Sequence, residues 1–540
     1  MSVVLGIHGN FGRSEHDSAA AIVHDGVLVQ TVEEERLVRY KHSVGLMPDR
    51  AIAACLKAEG FTLKDVDCVA FPRATWRNFK TRLQAYLSYQ FGHVPPIRFY
   101  DHHLSHAAAA YYPSAFDLAT VLTIDQSGDG RSLAVFDIDR RGATRLLHEQ
   151  RFPDSLGLLA AIITQLLGFQ SNDSEFKVMG LAAYGEPTID LGQLVKVEGH
   201  TIEFNQNMLH AEAIVKYPEF HTDQLPLFSD SLEKALGIGR RIAPDDISKE
   251  HANLAASFQS LLEGIVASLA EAFAIPGKPL CLGGGVAQNS LAAGQLAQRR
   301  FPDPVFVPPF PGDSGTAVGA AMLAALDLGD QVAPISTPFL APPEADADAA
   351  RQYIADVGLR ATFYDDPLGF VAEAISSGKV VAWHCGRPEV GPRSLGARSL
   401  LANPSTAATR DVVNRIKRRE SFRPFAPSLL ANAADRILPL PVTSPYMSFT
   451  VPLSDHGRVV LPAASHVDGT ARIHTVETSA HPFAQLLQRL SDYVGIPAVL
   501  NTSLNVKGEP ICRSPADTVR FFASSSTDVL YLEGHIVVKP

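Results

Sequence analysis

Paired cysteines are missing from this chain. Its five cysteines, Cys55, Cys68, Cys281, Cys385 and Cys512, are scattered through 540 residues with no Cys-x-x-Cys among them. That excludes a four-cysteine zinc module of the usual spacing and fits a reducing cytoplasm, the expected location. Long apolar runs are missing as well. No run of about eighteen apolar residues occurs, so no membrane partner is expected. The N-terminus, Met-Ser-Val-Val-Leu-Gly-Ile, reads as a short strand and not as a secretory signal. A basic excess is also lacking: 47 Lys and Arg face 57 Asp and Glu, for a net charge of −10. Nucleic-acid binders depend on cation–phosphate contacts, so nucleic acid is not an expected partner either. The remainder, 46% hydrophobic and 19% charged, is ordinary for a globular protein, and the length calls for two or more domains.

The stretch Phe99 to Gly130 carries the first chemical signal. It contains Asp101-His102-His103-Leu104-Ser105-His106 and an alanine run, then Val121-Leu122-Thr123-Ile124-Asp125-Gln126-Ser127-Gly128-Asp129-Gly130. His102 and His106 are four apart in a helix-favouring segment, so both imidazoles share a face and can reach one metal ion. Ala119 to Ile124 reads as a buried strand ending at Asp125 and a glycine turn. In α/β folds ligand groups gather past the carboxyl ends of strands, which makes Asp125 a candidate hard oxygen ligand. Gly128 and Gly130 would let backbone approach a ligand closely.

Around this stretch the chain alternates strands and helices. Val3 to Ile7, Ser18 to Val23 and Val27 to Val32 read as strands, the last two joined by an Asp25-Gly26 hairpin turn. His8 to Ser14 is a polar loop, and Glu33 to His42 reads mostly as a solvated charged face. Pro48 to Ala58 is helical, Val66 to Phe71 a strand, and Thr75 to Phe91 aromatic and basic without a sharp period. Strands at Ser132–Asp137 and Thr144–His148 repeat the earlier hairpin pattern, which implies an internal duplication of the actin type. Ser155 to Leu167 and Ile247 to Phe273 read as helices, and residues 190–245 carry little signal. Leu280 runs into Gly283-Gly284-Gly285-Val286-Ala287-Gln288-Asn289, a strand–glycine turn–helix able to meet an anion or nucleotide. Residues 329–350, rich in Pro, Ala and Asp, are the expected boundary between domains spanning 1–345 and 351–540. Beyond it, Asp411 to Glu420 is a basic helix expected to run up to the proline segment Pro424–Pro427. Taken alone, His16 reads as a turn histidine bonded to backbone, and Lys177 as a surface lysine.

Six or more ordered motifs resemble the O-carbamoyltransferases of the NodU/CmcH family. They are His16-Asp17-Ser18-Ala19-Ala20, Asp101-His102-His103-x-x-His106-Ala107 with Asp125-x-x-Gly128-Asp129-Gly130, Lys177-x-Met179-Gly180-Leu181-Ala182-x-Tyr184-Gly185, Gly283-Gly284-Gly285-Val286-Ala287-x-Asn289, Gly386-Arg387-x-Glu389-x-Gly391-Pro392-Arg393-x-Leu395-Gly396-x-Arg398-Ser399, and Asn501-Thr502-Ser503-Leu504-Asn505. Leu504 stands where many members have phenylalanine. The resemblance spans nearly the whole chain. It implies an α/β architecture: a duplicated actin/hexokinase-like (ASKHA) domain, similar to threonylcarbamoyl transferases, followed by a YrdC-like domain.

The resemblance also implies the function, an ATP-dependent O-carbamoyltransferase that activates carbamoyl phosphate as carbamoyladenylate. The carbamoyl group then passes to a hydroxyl of a small-molecule acceptor, a natural product or sugar. His102, His106, Asp125 and Asp313 are the implied ligands of a divalent metal, Fe(II) preferred over Mn or Zn, with ATP and Mg as co-substrate. His16 is the implied base, with Lys177 beside it in the chemistry. Gly128, Gly130, Gly284, Gly285 and Asn289 are implied to hold nucleotide. Arg393, Lys417, Arg423, Arg472, Asn501 and Ser503 are implied to hold carbamoyl phosphate. A homodimer is admitted. The alternatives are a tRNA-modifying or hydrogenase-maturation carbamoyl transferase, and an actin-like ATP-binding protein or sugar kinase without carbamoyl chemistry. The missing Cys-x-x-Cys pairs count against the maturation enzyme, and the acidic balance counts against the tRNA enzyme.

Overall fold

Two short apolar runs near the N-terminus fold back on each other because Asp25 and Gly26 both take positive φ, 49° and 77°. That turn matches the natural twist of a two-residue hairpin. It joins β2 (Ala19–His24) to β3 (Val27–Glu33), and β2 pairs antiparallel with β1 (Val3–His8). On the other side of β1 lie β4 (Cys68–Phe71) and β5 (Ile97–Phe99), both parallel, giving the order β3-β2-β1-β4-β5. The computed structural model describes residues 2–11, 16–75, 78–210, 226–242, 246–343 and 347–539. Residues 12–14 of the loop expected over His8–Ser14, and residues 211–225 and 243–245 of the stretch with little signal, lie outside the described residues.

A second sheet repeats this topology. The helix α1 (His102–Tyr111) precedes β6 (Leu118–Gly128), β7 (Arg131–Asp139) and β8 (Thr144–Arg151), an antiparallel meander. A separate hairpin follows, β9 (Val195–Glu198) with β10 (Thr201–Phe204). Then β11 (Leu280–Gly283) and β12 (Val305–Phe306) extend β6 in parallel, giving β8-β7-β6-β11-β12. Two sheets of the same strand order and direction constitute the duplicated actin/hexokinase-like arrangement. Four helices matter for the site: α2 (Glu175–Ala182), α3 (Lys249–Phe273), α4 (Ser290–Arg299) and α5 (Ser314–Asp327). The small residues of α5 let it press against α1, since a Cβ at Gly319 would lie 1.8 Å from the Ser105 carbonyl oxygen.

The chain divides into two units, Met1–Glu34 with His42–Ser336, and Glu35–Lys41 with Thr337–Pro540. The segment Glu33 to His42 is not the solvated face expected. Glu33, Glu34 and Arg36 are buried. The Glu34 carboxylate accepts from the Ala51 and Arg50 amides, and burial pushes it up to about 7. Arg36 and Arg39 donate to the carbonyls of Gly391, Pro510 and Ile511. Those fixed backbone acceptors draw the charges out of water.

The second unit is built on eight strands: β13 (Val381–His384), β14 (Arg398–Ala402), β15 (Ala426–Leu430), β16 (Phe449–Pro452), β17 (Thr470–Val476), β18 (Ala498–Ser503), β19 (Val529–Leu532) and β20 (His535–Val538), in the order β16-β17-β15-β18-β14-β13-β19-β20. Alternate residues feed two apolar layers. Ala382, Leu400 and Leu500 enter one, while Trp383, Leu401 and Val499 enter the other, as a period of two requires. The basic helix α6 (Thr409–Lys417) ends earlier than expected. Arg418 takes the left-handed conformation (φ 52°), so the helix stops before the prolines are reached.

Candidate active site

The first site grows from the N-terminus of α1. Asp101 caps that helix by accepting from the Leu104 amide (3.0 Å), and the Asp129 carboxylate accepts from the His102 amide (2.9 Å). Asp129 also holds the Ala74 and Thr75 amides, which ties the β6–β7 turn to the loop after β4. The helix thereby presents His102 and His106 on one face, at 0% and 1% exposure. The His102 ring fits only because residue 128 is glycine: a Cβ there would lie 1.8 Å from Cδ2 of His102.

Four donors converge. The two Nε2 atoms of His102 and His106 are 3.1 Å apart. Asp125 Oδ2 lies 3.0 Å from the first and 3.3 Å from the second. Asp313 Oδ1 lies 3.2 Å from His106 and 3.7 Å from His102. All four donor atoms fall within 4.8 Å of one another. Asp313 stands at the N-cap position of α5, yet its carboxylate makes no cap bond and turns to the imidazoles instead. Burial would push Asp125 up, but the His102 and His106 imidazoles hold it well below the usual carboxylate range. Two ring nitrogens this close cannot both direct bare lone pairs at each other. Against burial, the Asp125 and Asp313 carboxylates push His106 up to about 9, and once that ring gives up its proton two imidazoles and two carboxylates fit a divalent cation. The structure thus brings together His102, His106, Asp125 and Asp313.

The glycine turn after β11 touches this cluster. The Gly285 amide donates to Asp125 Oδ1 (3.1 Å). Gly284 has φ 85°, and a Cβ there would meet the Ile124 carbonyl oxygen at 2.2 Å. Asn289 caps α4 through the Ala292 amide and exchanges hydrogen bonds with Gln259 of α3 (2.9 and 3.1 Å). Gly130 has φ 83° with open space around it. Lys177 is buried on α2, not at the surface, with its ammonium 5.2 Å from the centre of the Phe169 ring. His16 is half-buried, and its Nδ1 lies 2.9 Å from Asp17 Oδ2. Burial opposes a charge on His16, but the Asp17 carboxylate outweighs it, with help from Asp313, and the imidazole is pushed up to about 9. That bond is not the plain backbone contact of a turn histidine.

In the second unit the cations gather around Arg423. Arg393 is pushed down to about 10 by burial and by Arg423. Lys417, Arg419 and Arg472 are held well below their ordinary range by burial and by one another's charges, with Arg423 acting on all three. The Lys417 ammonium donates to the carbonyls of Ser503 and Asn505 and to the Asn505 side chain. Asn501 is fully buried, and its amide donates to the Ser394 carbonyl (3.0 Å) and the Ser428 hydroxyl (2.9 Å). Ser503 donates to Asn505 (2.7 Å). Sequence reasoning passed over Asp101, Asp129, Arg419 and Asn505. Asp101, Asp129 and Asn505 stood inside quoted motifs and Arg419 inside the basic run, so all four had a signal.

Residues 4–91 and 88–322 match the family model for the carbamoyltransferase N-terminus, and residues 372–539 match that for the carbamoyltransferase C-terminus. The nodulation protein NolNO of Sinorhizobium fredii is 36% identical over 97% of this chain and 79% of its own length. An uncharacterized protein of Synechocystis is 32% identical over 100% of this chain and 97% of its own. Among solved structures, HypF from T. kodakarensis aligns with 61% of this chain and 48% of its own at 15% identity and a TM-score of 0.34. A ROK hexokinase from Thermus thermophilus aligns with 60% of this chain and 99% of its own at 15% identity and a TM-score of 0.27.

Proposed function

The chain belongs to the carbamoyltransferase family and is a carbamoyltransferase; from that premise we propose that it works in two ATP-dependent stages, one for each domain. The assignment gives residues 351–540 the activation step and residues 1–345 the transfer step. In the first stage carbamoyl phosphate, ATP and water give carbamoyladenylate, pyrophosphate and phosphate. In the second the carbamoyl group moves to a hydroxyl of a small molecule, and AMP leaves.

The observation that carries this reading is the group of mutually repelling cations around Arg423. Clustering buried guanidinium groups is unfavourable unless a multiply charged anion joins them. Carbamoyl phosphate and the phosphates of ATP have the required charge. Arg393, Arg423 and Arg472 meet the donor's oxygens, while Lys417, Asn501 and Ser503 fix the strands and loop that shape the pocket. Mg accompanies ATP in the usual way.

In the transfer domain, His102, His106, Asp125 and Asp313 would hold a divalent cation, Fe(II) preferred over Mn or Zn. When bound, that ion supplies Lewis-acid stabilisation of charge on oxygen. The adenylate would lie along the turn at Gly284 and Gly285, beside Asp125, with Gly128, Gly130 and Asn289 around it. Lys177 offers a positive charge to its phosphate. His16 takes the proton of the acceptor hydroxyl as the hydroxyl oxygen attacks. The first test is product analysis. Pyrophosphate release from ATP should require carbamoyl phosphate. Release that ignores carbamoyl phosphate would overturn the activation stage.

A further inference from the structure

His16 does not stand alone with Asp17. Asp17 Oδ1 lies 2.7 Å from Nδ1 of His42, and Nε2 of His42 lies 2.9 Å from Asp173 Oδ1. Asp17 Oδ2 lies 2.9 Å from Nδ1 of His16. A ring nitrogen and a carboxylate oxygen at these distances share a proton. His42 has a carboxylate on each nitrogen, so its ring holds two protons and is an imidazolium. Asp17 uses both oxygens, one for each ring. Charge therefore alternates along the chain of groups, from Asp17 through His42 to Asp173.

We propose that Asp17, His42 and Asp173 are the positioning residues of the transfer step, holding His16 with Nδ1 turned inward as a donor and Nε2 as its one lone pair. The inference rests on the reading of His16 as the base. Three distant segments meet to make this chain. Each carries a residue in the left-handed region beside or within it: Asp17 (φ 57°), His42 (φ 62°) and Asn172 (φ 60°). Non-glycine residues enter that region at a cost, and such positions gather at functional sites. The Asp17 amide also donates to the His42 carbonyl (2.6 Å), which fixes two of the segments directly. His42 opposes the rise that Asp17 causes at His16, and the two imidazoles hold the Asp17 carboxyl well below its usual range against burial.

The step balances without a further reactant. The acceptor oxygen forms a bond to the carbamoyl carbon, and its proton passes to Nε2 of His16. The bond from that carbon to the bridging phosphate oxygen breaks, and its electron pair leaves on AMP. Asp17 holds the imidazolium so formed, and His42 opposes part of the rise that Asp17 causes at His16.

The test uses the full-length protein with ¹⁵N-labelled histidine at neutral pH. Wild type should give a ring with both nitrogens protonated that disappears in His42→Gln and loses one proton in Asp173→Asn. Freshly supplied carbamoyladenylate, with water as acceptor, should release AMP roughly tenfold or more slowly in folded Asp173→Asn. Carbamoyl-phosphate-dependent pyrophosphate release should keep its rate. A wild-type His42 ring with one bare nitrogen would overturn the proposal, and that spectrum needs no variant to fold. Unchanged AMP release in folded Asp173→Asn would also overturn it. Wild type that releases no pyrophosphate would refute the activation reading instead, and the spectrum would still decide the chain.

Discussion

His102 leaves no space for a methyl group on Gly128, and this contact gives the sharpest local prediction. In Gly128→Ala the new Cβ would sit 1.8 Å from the imidazole, so ring or strand must move. Overpacking of this kind costs on the order of 1–3 kcal/mol, and the displaced ring should lose its cation. Thermal unfolding together with elemental analysis checks both effects; unchanged stability and metal content would contradict the packing described. His106→Ala should remove most bound metal outright, because its Nε2 faces Asp125, Asp313 and His102 together. His16 supplies a pH prediction. A base acts in its neutral form, and Asp17 raises His16 from 6.5 to about 9. The transfer rate should therefore climb with pH and reach half its maximum above 6.5. In Asp17→Asn that inflection should move to lower pH. An inflection that does not move would remove His16 from the proton transfer.

Elements, unlike single contacts, were largely legible in the sequence. The apolar run Ala119–Ile124 lies within β6, the Asp25-Gly26 turn closes its hairpin, and the 3.6-residue period over 247–273 is the long helix α3. The ligand spacing at His102 and His106 could be read because a helix repeats every turn. Asp313 could not be read in the same way: an acidic residue opening a helix signals a cap, and only the fold turns its carboxylate to the imidazoles. The burial of Glu34 and Arg36 was illegible because charged side chains go inside when backbone donors or acceptors await them, here the Arg50 and Ala51 amides and the distant Gly391 carbonyl. Asn501 looked like a ligand contact, yet its amide is spent on Ser394 and Ser428. At this scale the cations around Arg423 make a testable group. Arg423→Ala removes one charge-assisted contact of about 1.5–3 kcal/mol, so carbamoyl phosphate should bind roughly ten- to a hundredfold more weakly. It also relieves repulsion on Arg393, Lys417, Arg419 and Arg472, so the unliganded variant should melt no lower than wild type. Pyrophosphate should raise the melting temperature of wild type by mass action and raise that of the variant less. Equal shifts would show that the anion binds elsewhere.

In the whole molecule, two units that each have their own core hold different groups of charge. One buries a tetrad of imidazoles and carboxylates, and the other gathers cations that repel one another. Among the described residues no helix is long and apolar enough to cross a membrane. An adenylate activates a carbamoyl group because its leaving group is AMP, so a division between making and using it is chemically coherent. The most direct measurement is carbamoyl-phosphate-dependent ATP–pyrophosphate exchange in His106→Ala, run beside carbamoyl transfer by the same preparation. The account predicts that exchange continues at the wild-type rate while transfer is lost along with the metal. Exchange that disappears together with transfer, in a variant that remains folded, would contradict the division of the reaction between the two units.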